Sequence, residues 1–191
     1  MTQKTDRDQI LDSAAYLFRV NGYHNTTVAD IAASCGLLKG SLYHHFPSKE
    51  ALAVAALDRS VAEFWDKVLW TAYQEDVPAG KRLADFVEAL GKYFLGKRGG
   101  SLFGNLGLEV GHNVAPIATV VQRYFSDFRS AVVALLTARF GEDRAAEMAS
   151  AGVARIEGAL LLAQVDRDNS HFERALLELK GYLADESFIS P

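Results

Sequence analysis

An all-α fold follows from three features of the 191-residue chain. Apolar residues recur three and four apart through most of its length, the spacing that lines one face of a helix. Of its four prolines, Pro47, Pro78 and Pro116 fall between such segments. Glycines mark further breaks, above all in the tract Gly96 to Ser101, GKRGGS. With 49% hydrophobic residues and 10% aromatics, such helices have enough apolar surface for a sizeable core.

The first helix is expected from about Asp6 to Asn21, with Ile10, Ala14, Leu17 and Phe18 on one face and Gly22 as its stop. A short second helix follows, about Val28 to Ser34, where Thr27 and Asp30 have the spacing of a capping box and Gly36 ends it. The third, about Lys39 to His45, is closed by Phe46-Pro47. Ser48 then caps a long fourth helix through about Tyr73, whose stripe of Val61, Phe64, Trp65, Val68 and Leu69 makes it a connector. After the loop Gln74 to Gly80, helices are expected at about Lys81 to Gly96, Phe103 to Asn113, Pro116 to Phe140, Glu142 to Asp166 and Ser170 to Glu186. The division is into a bundle over residues 1–50 and a larger helical domain over 51–191.

A formal net charge of −4 gives no bulk attraction to nucleic acid or an anionic membrane, so such a partner would need a local patch. Cys35 is the one cysteine, which excludes an internal disulfide and any multi-cysteine metal site. It reads as a small hydrophobe rather than a redox switch. No apolar run approaches the roughly 18 residues that span a bilayer, and the N-terminus lacks the apolar core of a signal peptide, so no membrane partner and a cytoplasmic location are expected. No nucleophile elbow, phosphate loop or other catalytic motif occurs, so no enzymatic activity and no cofactor are expected.

Two short helices joined by a few residues containing a glycine, with an amphipathic helix ahead of them, form a helix-turn-helix pattern. The second of the pair would be the reader. Leu42 and Phe46 face inward against Val28, Ile31 and Ala32, which leaves Lys39, Gly40, Ser41, Tyr43, His44 and His45 pointing outward. Lys39 can donate to guanine O6 or N7, Gly40 permits close approach, and Tyr43, His45, Thr27 and Lys49 can reach phosphates. His44 and His45 are adjacent and project about 100° apart, so they cannot share a metal as a pair four apart does. Residues 1–50 carry five basic and five acidic side chains, yet the reader helix has no carboxylate. A helical hairpin with an incidental polar face is the competing structural reading.

The stretch LFRVNGYHNTTVADIAASCGLLKGSLYHHFPSKEAL, Leu17 to Leu52, resembles the DNA-binding signature of TetR-family transcriptional regulators. The likeness rests on Phe18, Gly22-Tyr23, Thr26-Thr27, Ile31-Ala32, Gly36, Lys39-Gly40, Leu42-Tyr43, His45-Phe46 and Lys49-Glu50, without a gap. It implies a homodimeric repressor with an N-terminal reader of double-stranded operator DNA, a C-terminal pocket for a small-molecule inducer, and a dimer face on the last two helices. Leu38 departs from the pattern, since family members usually place there a small hydroxyl that caps the reader helix and touches phosphate. A helical small-molecule carrier or enzyme that reuses the fold without reading DNA is the alternative from another class.

In the larger domain the segment RGGSLFGNLGLEVG, Arg98 to Gly111, resembles a Gly-Cys-Leu-x-Gly-Asn-Leu motif found in a subset of the same family. Ser101 replaces the cysteine, which excludes thiol-based sensing at that position and favours reversible binding. Candidate ligand contacts are the apolar Phe64, Trp65, Phe103, Leu106, Phe125 and Phe128, with Asn105 and Glu109 as the few polar groups, which suits an apolar or aromatic inducer. For the dimer, Ile156, Ala159, Leu160 and Ala163 on one helix and Phe172, Leu176, Leu179 and Leu183 on the next are the expected four-helix seam.

Overall fold

The structure is a computed structural model that describes residues 7–182. Among these residues every regular element is helical: α1 Arg7–Asn21, α2 Val28–Ser34, α3 Lys39–His45, α4 Lys49–Lys67, a 3₁₀ turn Leu69–Tyr73, α5 Ala79–Phe94, α6 Leu102–Val110, α7 Ala115–Phe140, α8 Glu142–Asp166 and α9 Ser170–Gly181. The expected all-α class and helix order hold. One helix is shorter than its periodicity suggested: α4 stops at Lys67, and Val68 leaves helical geometry at φ −126°, ψ −62°. There the Thr71 hydroxyl donates to the Val68 carbonyl at 2.6 Å and Arg82 donates to the Ala72 carbonyl at 2.8 Å, so side chains take up carbonyls that a continuing helix would use. The last residues expected in α9, Leu183 to Glu186, lie outside the described ones.

Chain contacts divide the molecule into two compact units, one comprising residues up to Ala62 with Arg98–Tyr124, the other Glu63–Lys97 with the residues from Phe125 on. The division differs from that expected at residue 50 because α6 and the start of α7 pack with the reader bundle instead of with the remaining helices. In the N-terminal unit Ile10, Leu11, Ala14 and Phe18 of α1 are buried, as are Val28, Ile31 and Ala32 of α2 and Leu42 of α3. Arg59 of α4 clamps Asp8 and Asp12 of α1 at 3.0 and 2.6 Å, an exposed and hence weak pair of bridges.

In the C-terminal unit, aromatic rings fill the core. Phe64 meets Tyr93 at 5.0 Å and Phe128 at 5.3 Å between centroids, both edge to face, and Phe94 meets Phe172 at 5.8 Å. Helices α8 and α9 pack on each other, with Gly152 facing the Leu179 and Tyr182 side chains. Among the described helices, α8 is long and apolar enough to cross a membrane by length and composition, a property the sequence reading did not anticipate.

Candidate nucleic-acid interface

The reader is set up by backbone chemistry ahead of it. Thr27 Oγ1 accepts the Asp30 N–H at 3.1 Å, and Asp30 Oδ2 accepts the Thr27 N–H at 2.8 Å and its hydroxyl at 2.7 Å. The expected capping box is thus complete, and those bonds hold the Asp30 carboxyl below its ordinary pKa. At the other end of α2, Gly36 adopts φ +68° while its N–H reaches the Ala33 carbonyl at 3.0 Å and the Leu37 N–H reaches Ala32 at 2.8 Å. This pair of bonds is a Schellman closure, which needs a left-handed residue at that position. It forms the turn of the helix-turn-helix. Cys35, which reads from the sequence as a small hydrophobe, is half-buried in this turn.

Leu42 and Phe46 anchor α3, and Lys39, Gly40, Tyr43, His44 and His45 are all exposed, with Ser41 half-buried. The outward set expected from the sequence is therefore brought together on one short helix. Thr27, at the cap of α2, is also exposed. Lys49 is placed differently from a free cation: its Nζ lies 4.3 Å from the Tyr23 ring centroid and donates to the His24 carbonyl at 3.4 Å. Partial burial pushes its pKa down against the opposing pull of Glu109 and Asp30. Leu38 offers no side-chain bond to α3, as the loss of the hydroxyl implied.

Behind the reader lies an arrangement that sequence reasoning missed. Glu109 of α6 accepts the backbone N–H of Tyr23 through Oε2 and of His24 through Oε1, both at 2.7 Å. Successive N–H groups of the α1–α2 turn form a nest for an anion, and α6 supplies the carboxylate. One turn earlier, Asn105 donates to the carbonyls of Arg19 at 3.0 Å and Gly99 at 2.7 Å, while Arg19 Nε donates to the Arg98 carbonyl at 2.9 Å. Two glycines make the approach possible. A Cβ on Gly22, at φ +82°, would stand 2.6 Å from Glu109 Oε2, and one on Gly99, at φ +91°, 2.7 Å from the Arg19 carbonyl. The i, i+4 spacing of Asn105 and Glu109 was visible in the sequence, but their partner was not. Ser101 caps α6 by accepting the Gly104 N–H at 3.0 Å.

The other candidate ligand contacts are dispersed. Phe103 is buried and stacks on Tyr124 at 3.9 Å, with Leu106 buried beside it on α6. Phe64 and Phe128 are core residues of the C-terminal unit, Phe125 is half-buried, and Trp65 faces outward, stacked on Tyr73 at 5.5 Å. A groove of about 460 Å³ in the same unit is lined instead by Glu63, Lys67, Asp85, Glu88, Lys92 and Lys97 among others, a charged wall unlike the apolar pocket expected. The residues expected in the seam, Ile156, Ala159, Leu160, Phe172, Leu176 and Leu179, are all buried within the chain, Ala163 is half-buried, and Leu183 lies outside the described residues. The large apolar side chains that α8 and α9 leave exposed are Leu161, Leu162, Val165 and Leu177. With Gly158, the three on α8, Leu161, Leu162 and Val165, form a second stripe on that helix, legible in the sequence but indistinguishable there from the inner one.

Residues 10–56 match the family described as bacterial regulatory proteins, tetR family, and residues 81–176 match the C-terminal domain of LmrA/YxaF-like transcriptional regulators. An uncharacterised HTH-type transcriptional regulator, YxaF of Bacillus subtilis strain 168, is 29% identical over 184 residues, covering 89% of this chain and 91% of its own. The HTH-type transcriptional repressor DhaR of Mycobacterium sp. strain GP1 is 25% identical over 182 residues, covering 92% and 91%. Among solved structures, a TetR transcriptional regulator from Legionella pneumophila superposes with a TM-score of 0.84 at 20% identity, over 95% of this chain and 98% of that one.

Proposed function

The chain belongs to the TetR family of bacterial transcriptional regulators, and we propose that it is a dimeric repressor that grips a palindromic operator with two copies of α3 and is released by a small apolar or aromatic inducer. One observation carries the reading: α3 turns Lys39, Tyr43, His44 and His45 outward, free of carboxylates, on a base of buried Leu42 and Phe46. In this reading Lys39 donates to a guanine edge and Gly40 lets the helix approach. Ser41, Tyr43, His44, His45, Thr27 and Lys49 hold phosphates. One seven-residue helix contacts few bases, so a dyad places two readers about 34 Å apart or somewhat more. The repressor sense is supported by DhaR, named a repressor. Operator DNA places the protein in the cytoplasm.

The dimer face is assigned to the exposed Leu161, Leu162 and Val165 of α8 with Leu177 of α9, one step around the helices from the buried stripe. A ligand against Phe103 and Leu106 would displace α6, and Glu109 and Asn105 would pass that shift to the α1–α2 turn. Their polar heads are engaged on backbone, which suits transmission better than ligand contact. A coupling of about 1 to 3 kcal/mol gives roughly 5- to 150-fold release.

Selection of the full-length protein against a random duplex pool at physiological salt tests the reading. A dyad-symmetric motif is expected, with Lys39→Ala relaxing preference at one base pair per half-site and Lys49→Ala reducing the salt slope by about 1 in all duplexes alike. If no duplex is enriched, operator binding is refuted.

A further inference from the structure

Leu38 is the residue of the reader that phosphate and guanine contacts leave unused. Its side chain is 81% exposed, directly ahead of Lys39 and Gly40, and makes no hydrogen bond to α3. A serine or threonine in its place would cap the helix, so the leucine forgoes local stability and keeps an apolar group in water. Its backbone is nevertheless firmly held. The Schellman closure fixes Leu37, and the Leu38 carbonyl accepts the Ser41 N–H at 2.9 Å in extended geometry, φ −76°, ψ 145°. The side chain is therefore presented from a defined position beside the base-reading residues. With the half-buried Leu37 before it and Lys39 after it, this apolar surface is far smaller than the apolar patches that bind proteins. It matches the one apolar feature of the major groove, the C5-methyl of thymine.

We infer that Leu38 reads the 5-methyl group of a thymine in each operator half-site, adding an apolar determinant to the polar ones on α3. The inference rests on the operator-binding reading above, and its failure is separable from the failure of that reading.

The probe is the duplex enriched from the random pool by the wild-type chain. Each thymine of its half-sites is replaced in turn by deoxyuridine, which removes only the methyl, and binding is measured for wild type, Leu38→Ser and Leu38→Ala. Wild type should lose about four-fold for each half-site at one thymine position, the worth of one buried methyl, or about 15-fold when both half-sites carry uracil. Both variants should be nearly indifferent to the same replacement. Serine restores a capping hydroxyl, so at least that variant is expected to fold, and circular dichroism checks both. A wild type indifferent to every uracil, or variants that keep the full methyl dependence, would overturn the assignment while leaving operator binding intact. Failure to enrich any duplex would remove both.

Discussion

A single carboxylate decides how the reader bundle is supported. Glu109 accepts two neighbouring N–H groups of the turn that follows α1, and no neutral side chain of its length offers two acceptor oxygens. Glu109→Gln keeps the shape and one oxygen, but turns an amide donor toward the second N–H. We expect a loss of about 1.5 kcal/mol or somewhat more in unfolding free energy, the range of hydrogen bonds to charged groups. Faster hydrogen exchange at the Tyr23 and His24 amides should accompany it, and unchanged exchange there would show that the turn holds itself. Thr26 completes the same corner: it is fully buried, and its hydroxyl lies within reach of the Leu17 and Gly22 carbonyls at 3.2 and 2.7 Å. Thr26→Val, close in shape, should cost about 1 to 3 kcal/mol in denaturant unfolding by leaving those carbonyls short of a donor.

Among the elements, α2 carries its own pH sensitivity. The folded state holds the Asp30 carboxyl below its ordinary value of 3.8, first through the Thr27 hydroxyl and then through the Thr27 N–H. The unfolded chain therefore binds the proton more readily. The contribution is complete above the ordinary value and disappears as pH falls through the lowered one. Thermal unfolding followed from pH 6 downward should show wild type converging on Asp30→Asn in that acid range, whereas a constant gap between them would mean that the box does not depend on the charge. The reader helix has no such cap, so α3 relies on Leu42 and Phe46 for its position. Helix α4 illustrates the opposite case, a periodic stripe that continues past the end of the helix because the 3₁₀ turn also buries Leu69 and Ala72.

For the whole molecule, α8 explains why one helix passes a membrane-length test and why the first expected seam was the inner one. It is apolar on two sides, one packed within the chain and one exposed. The two sides separate by mutation. Leu161→Glu, at a residue 51% exposed, should produce a folded monomer by sedimentation with its helical signal kept and its operator affinity lost. Leu160→Glu, at a residue 6% exposed, should instead unfold the chain or weaken it by about 3 kcal/mol or more, because a carboxylate would enter the core. An intact dimer for Leu161→Glu would move the interface off this stripe.

The sequence by itself determined the all-α class, the order of the helices, the capping box at Thr27, the glycine turn at Gly36 and the outward residues of α3. Each of these depends on chemistry within a few residues along the chain, where spacing alone fixes which groups meet. Tertiary structure decided what spacing leaves open: which of two apolar stripes on α8 faces inward, and where the heads of Asn105 and Glu109 go. Apart from Gly99, six positions from Asn105, their partners stand 85 or 86 positions away in the chain, and backbone N–H and C=O groups are the same at every residue. A carboxylate bound to backbone therefore leaves no complementary side chain in the sequence to find it by, beyond the glycine at 22 that makes room for it.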